Sequence, residues 1–384
     1  MSKKNTETNK QLKVRKKRRR RRWLFALEIV IIAVLFCCLF VVSKMNKIQT
    51  EDLDTDNIVV NPEVQENETL HGYTTLAVVG IDKNSDLKQG NSDTIIIVNI
   101  NNDTKKVKMV SVYRDTYLRI GEDENKNGIY RKANAAYANG GKEQFISMLN
   151  SNLDLNIQDF VSVDFAAVSE VVDLLGGIDM ELKEEETVHL NNYCKEVSEV
   201  TGKSYEPLPK KSGTYHLNGV QAVSYARIRY TVGQDFRRAA RQREVIYKIV
   251  EKVKQAGIGK ISKIIDKVFP MVYTSLSKAD IISMGMSMLS YEIEDQAGFP
   301  FDHLWGQNVS DAMDGYDCVL PITLESNVVK LHHFLYGEEN YQPSEKVCAY
   351  SDFIIEKSGF GEDSRLAVSE DGSLESYRDD PNNP

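Results

Sequence analysis

The stretch TTLAVVGIDKNSDLKQGNSDTIIIVNINNDTKKVKMVSVY, residues 74–113, decides the fold. It holds three apolar runs, LAVVGI, TIIIVNI and VKMVSVY, each short, rich in β-branched side chains and closed by Asn, Gly, Asp or Lys. That is the pattern of consecutive strands. Downstream the period lengthens: ANAAYANGGKEQFISMLNSNL and FAAVSEVVDLLGG carry apolar residues at helical intervals, with strand-like FVSVDF and GIDMEL between and after them. The alternation predicts an α/β domain over residues 71–340, a sheet covered by helices on both faces. The clearest single element is a helix from near Asp235 to about Gln255, followed by ISKIIDKVF and SKADIISMGMSML.

Charge is distributed unevenly. Residues 1–22 hold twelve Lys and Arg against Glu7, so the other residues carry 36 basic and 55 acidic side chains, a balance near −19. A body that acidic repels nucleic acid, and no nucleic-acid partner is expected. After the basic run comes WLFALEIVIIAVLFCCLFVV, residues 23–42, with Glu28 as its only charge, long enough to cross the roughly 30 Å hydrocarbon core as a helix. The basic side stays cytoplasmic, which places the rest of the chain outside a cell membrane on a single span. Residues 43–70, acidic and without periodicity, read as an extracellular tether, and residues 341–384 as an acidic, disordered tail. Outside the span the cysteines are Cys194, Cys318 and Cys348; the odd number allows at most one bridge, with Cys194–Cys318 the favoured pairing.

The functional signal lies in ARIRYTVGQDFRRAARQREV, residues 226–245, where six arginines face only Asp235 and Glu244. At about 100° per residue, a stripe through Ile246, Ile249 and Val253 projects back onto Arg238 and Gln242 and leaves Arg237 and Arg243 as surface charges. An inward arginine needs an anion, because an unpaired buried charge is costly. Arg227 and Arg229, two residues apart, would project from one side of an extended segment and converge with Arg238. Guanidinium forks beside a helix N-terminus suit a polyphosphate. A hairpin across KNSDLKQGNS would bring Asp82 and Asp93 together, a pair suited to Mg²⁺ with water and phosphate completing its shell. Either aspartate could equally cap a turn.

The segments VVGID, NSDTIIIVNI, MVSVYRDT, KANAAYA, LLGGIDM and YHLNGVQAVSYARIRYTVGQDFRRAARQREVI resemble, in order and over roughly residues 74–256, the LytR-CpsA-Psr family. The resemblance implies a Mg²⁺-dependent phosphotransferase that moves a glycopolymer from a polyprenyl-pyrophosphate carrier onto peptidoglycan as a phosphodiester. It implies pyrophosphate contacts from Arg114, Arg227, Arg229 and Arg238, with Gln242 beside them, and metal contacts from Asp82 and Asp93. Alternatives are a lipid-pyrophosphate hydrolase and a non-catalytic binding module for the carrier or glycan. The general base is open between Asp115 and Asp235, and the lipid groove is unassigned.

Overall fold

A computed structural model describes residues 42–80, 92, 94–231 and 233–364. The strands include β1 (Gln49–Thr50), β2 (Tyr73–Gly80), β3 (Thr94–Asn101), β4 (Lys106–Val112), β5 (Tyr117–Glu122), β6 (Gly128–Lys132), β7 (Asp159–Val163), β8 (Ile178–Leu182), β9 (Gly213–Leu217), β10 (Tyr273–Thr274) and β11 (Glu292–Phe299). The main helices are α1 (Ala135–Leu153), α2 (Phe165–Leu175), α3 (Glu184–Thr201), α4 (Gly219–Ala226), α5 (Gln234–Lys254), α6 (Ile258–Val268), α7 (Lys278–Met286), α8 (Leu324–Tyr336) and α9 (Glu345–Ser358).

Seven strands form one mixed sheet in the order β1-β10-β7-β2-β3-β4-β11. The three runs of the deciding stretch are its centre: β2, β3 and β4 pair antiparallel, β7 joins β2 in parallel, and β11 joins β4 in parallel. Side chains alternate across a strand, so the isoleucines of β3 divide between two cores. Ile95 and Ile97 pack with Phe145 and Leu149 of α1 and Leu331 of α8, while Ile96 and Ile100 pack with Met109, Ile246 of α5 and Met284 of α7. Helices therefore cover both faces, as expected.

A further cluster joins α2, α3 and α4 over the ribbon β8–β9. There Gly219 is obligatory, since a Cβ on it would lie 2.1 Å from the Ser169 carbonyl oxygen of α2. The close approach fixes α4, and with it the ARIRY segment that follows.

Both expected ends of the domain need correction. The region read as a tether is part of the domain from Gln49: β1 pairs with β10, and Val64 and Leu70 sit in the main core. Asn61, fully buried, donates to Ser151 O, Asp154 Oδ1 and Ser344 Oγ at 3.1, 2.6 and 3.1 Å. Isolated plugs of this kind leave no periodic signal. The region read as a disordered tail begins with α9, whose Val347, Tyr350 and Ile354 fall on one helical face and enter the same core. Cys194, Cys318 and Cys348 are free thiols. Cys194 and Cys318 belong to different apolar clusters, so the favoured bridge does not form; burial pushes the Cys318 thiol up to about 12.

Among the described residues no helix is long and apolar enough to cross a membrane. Residues 23–41 of the expected span, Asp82, Asp93 and residues 365–384 lie outside the described residues.

Candidate active site

The chain leaves α4 at Arg227, runs through Ile228 to Thr231, and starts α5 after Gly233, whose φ of 85° lets the backbone turn. Asp235 lies in the first turn of α5, where the helix dipole favours a negative charge. Three arginines from different elements meet there. Arg114, from the turn after β4, donates from Nε to Asp235 Oδ2 at 3.0 Å. Arg229 Nε and Arg238 Nη1 each lie 3.4 Å from Asp235 Oδ1. Beyond Arg114, Asp115 stands 3.7 Å from its Nε and 3.5 Å from Lys132 Nζ. Four cations thus surround two carboxylates, and the cluster keeps a net positive charge of two. A pocket of about 30 Å³ opens beside it, lined by Thr94, Ser111, Arg114, Asp235, Arg238 and Gln242 among others.

Arg227 is placed differently from the sequence expectation. It caps α4 in a helical conformation, so it does not share a side with Arg229. Its guanidinium donates to Glu196 Oε1 at 2.8 Å and lies 4.9 Å from the Phe165 ring centre and 5.8 Å from that of Tyr193. Phe165 in turn lines a cavity of about 90 Å³ between α2, α4, α5 and the sheet. Its walls are Val78, Ile96, Val163, Val168, Val223, Ala226, Val245 and Ile246, almost wholly apolar. Gly80, also on its wall, lets β2 lie close against Thr94, because a Cβ there would sit 2.8 Å from the Thr94 Cβ. Thr94 and Gln242 line both this cavity and the arginine pocket.

The one-stripe projection succeeded for Arg238, 5% exposed, and failed for Arg243, which is 4% exposed rather than a surface charge. Arg237 is half-buried between Glu244, at 3.2 Å, and Glu186, at 3.8 Å. The physical reason is that α5 is covered on several sides by α2, α4, β4, β8 and β11, so a single buried face underestimates its burial. Its most buried arginine was given no role from sequence. Arg241, 1% exposed, donates to Glu186 Oε1 from Nε and Nη2 at 3.0 and 2.9 Å, to Ile228 O at 3.2 Å and to Thr231 Oγ1 at 2.8 Å. It ties the segment bearing Arg229 to α3 and α5. The signal was its place three residues after Arg238, on the same helical face. Ser111 was also missed; it is 2% exposed, with an Oγ that has no hydrogen-bond partner beside the pocket.

Among the described residues no cluster of three His, Cys, Asp or Glu could hold a metal ion. The β2–β3 ladder runs to Gly80 opposite Thr94, so the chain returns beside both cavities directly after Asp93.

The LytR_cpsA_psr family matches residues 36–316. The teichoic acid transferase TagV of Bacillus subtilis, named polyisoprenyl-teichoic acid–peptidoglycan teichoic acid transferase, is 32% identical over 191 residues, 49% of this chain and 46% of that protein. Biofilm regulatory protein A of Streptococcus mutans is 31% identical over 210 residues, 53% of this chain and 50% of that one. The chain spans about half the length of these curated relatives. The crystal structure of B. subtilis TagV superposes with a TM-score of 0.53 at 25% identity, over 71% of this chain and 98% of that one. The mixed sheet with its covering helices is the architecture of that structure. With its matched region spanning all seven strands of the sheet and the whole arginine segment, the chain belongs to the LytR_cpsA_psr family.

Proposed function

We propose that the protein is a membrane-anchored phosphotransferase, held by residues 23–42 with its domain outside the cell, that moves a glycopolymer from a polyprenyl-pyrophosphate carrier onto a peptidoglycan hydroxyl. The observation that carries this reading is the shared wall: Thr94 and Gln242 border both an apolar cavity and a pocket of arginines. A ligand with a hydrocarbon tail joined to a polyphosphate matches that pair of cavities. The names of the relatives, polyisoprenyl-linked teichoic acid transferases, support the substrate class.

The acceptor oxygen attacks the phosphorus that bears the glycopolymer, its proton leaves, and the bond from that phosphorus to the bridging oxygen breaks, releasing polyprenyl phosphate. Phosphoryl transfer asks little covalent chemistry of the protein. Arg114, Arg229 and Arg238 spread their charge over the phosphate oxygens as negative charge shifts to the leaving group, and Gln242 orients the junction with the tail. Arg227 holds the rim of the apolar cavity. Asp235 orients the three arginines, which leaves Asp115, between Arg114 and Lys132, as the carboxylate placed to take the acceptor proton. Asp82 and Asp93 would hold Mg²⁺, which supplies further charge neutralisation when bound.

The test uses the full chain in detergent, with farnesyl pyrophosphate, farnesyl phosphate and pyrophosphate as separate ligands in thermal shift. Farnesyl pyrophosphate should stabilise most, since it alone joins a hydrocarbon tail to a full pyrophosphate, with a shift that grows with concentration by mass action. Lysine keeps the charge of Arg238 but loses the planar fork, so Arg238→Lys should lose affinity about tenfold or more, while Arg131→Lys at an exposed position stays unchanged. Equal binding of pyrophosphate with and without the farnesyl group would refute the shared-wall reading. Turnover of a carrier-linked glycopolymer to free polymer phosphate without acceptor would make the protein a hydrolase, and tight binding without turnover a binding module.

A further inference from the structure

Four large apolar residues are 70% exposed or more among the described residues, and three of them, Ile258 (87%), Met286 (79%) and Leu289 (70%), belong to the short region holding α6 and α7. Neither helix needs them for packing. α6 buries Ile264 and Val268 against Ala167 and Leu175 of α2, whereas α7 buries none of its residues fully. The same region reverses the charge of the body: residues 252–290 carry six lysines against Asp266 and Asp280, in a protein whose residues after 22 balance near −19. Lys260, Lys263, Lys267 and Lys278 are exposed. Apolar side chains standing among lysines are the surface signature of an interfacial helix on anionic lipid.

The path of the chain points the same way. Glu51 N donates to Thr274 O at 2.9 Å and Gln49 Nε2 to Pro270 O at 2.7 Å, so the chain enters the domain on the segment joining α6 to α7. The helices behind this face are those of the apolar cavity. Phe165 and Val168 of α2 and Ile246 of α5 line it, α6 packs on α2, and Met284 of α7 packs with Ile246.

We propose that α6, α7 and the turn to Leu289 form a docking face for an anionic bilayer surface, which holds the apolar cavity within reach of lipid in the membrane. The inference rests on the membrane-anchored reading above.

The test is hydrogen exchange of the full chain reconstituted in phosphatidylglycerol vesicles and in phosphatidylcholine vesicles. Backbone amides of residues 258–289 should exchange about tenfold slower on the anionic vesicles. The slowing should vanish in the variant Ile258→Glu, Met286→Glu, Leu289→Glu, whose exposed positions leave the fold and the stabilisation by farnesyl pyrophosphate unchanged. Equal exchange on the two vesicles, or slowing that the variant retains, overturns the docking face. Slowing that depends on the protein-to-lipid ratio assigns the face to a second copy and overturns it too. A chain that does not float with either vesicle refutes the anchor itself, and loss of farnesyl pyrophosphate binding in the wild type refutes the site instead.

Discussion

Asp235 holds together three arginines that would otherwise repel one another, at 3.0 to 3.4 Å. Replacing it by Asn should therefore act in opposite directions on two measurements. Without ligand the domain should lose about 2 kcal/mol in urea unfolding, less than for a fully buried pair because Asp235 is partly exposed. Pyrophosphate should then recover most of that loss, since it finds three uncompensated guanidiniums. The Glu186–Arg241 pair, buried on both sides, gives a second contrast. Glu186→Ala should cost about 3–5 kcal/mol, whereas Glu186→Leu with Arg241→Met should cost much less, as no buried charge is left alone. Residue by residue, Arg238 was legible because its helical position projects onto apolar neighbours. Arg243 was not, since its burial depends on which elements close over α5. Arg227 was misread because an extended ARIRY was assumed where α4 continues to Ala226.

At the scale of elements, the central strands and α5 were legible because their patterns are long and periodic. The short β1 strand was not, for two residues carry no period, and it exists only because β10 offers an edge. α9 was hidden by its polar surroundings although Val347, Tyr350 and Ile354 have helical spacing. Its packing yields a sharp prediction. Ending the chain after Ser364 should leave the cooperative melt unchanged, whereas ending it after Ser344 should lower stability by several kcal/mol, of the order of about 2–5 per large core side chain removed. Circular dichroism melts of the two shortened chains against the full one decide it. Equal stability of the chain ending at Ser344 would mean that α9 merely rests on the surface.

For the whole molecule, what composition made legible was the polarity: basic residues, then an apolar run, then an acidic body. What it concealed was that the arginine cluster is assembled from three separate places, the turn after β4, the α4–α5 connection and α5. Asp235 gives this cluster a property that a bare group of arginines lacks. Bare arginines collect dissolved anions, and a ligand that displaces them binds ever more weakly as salt rises. Here Asp235, one counterion among three arginines, is covalently part of the chain and cannot be diluted or concentrated, while the cluster as a whole keeps a net positive charge of two. Added salt also screens the repulsion between a body near −19 and an approaching anion. Pyrophosphate affinity measured by calorimetry from about 0.05 to about 0.2 M salt should consequently fall less steeply in the wild type than in Asp235→Asn, whose arginines must recruit dissolved anions in its place. Equal slopes would show that dissolved ions, rather than Asp235, offset the arginines before the ligand arrives. With the shallower slope, binding at this site depends less on the ionic strength of the medium than it would at the same arginines without Asp235.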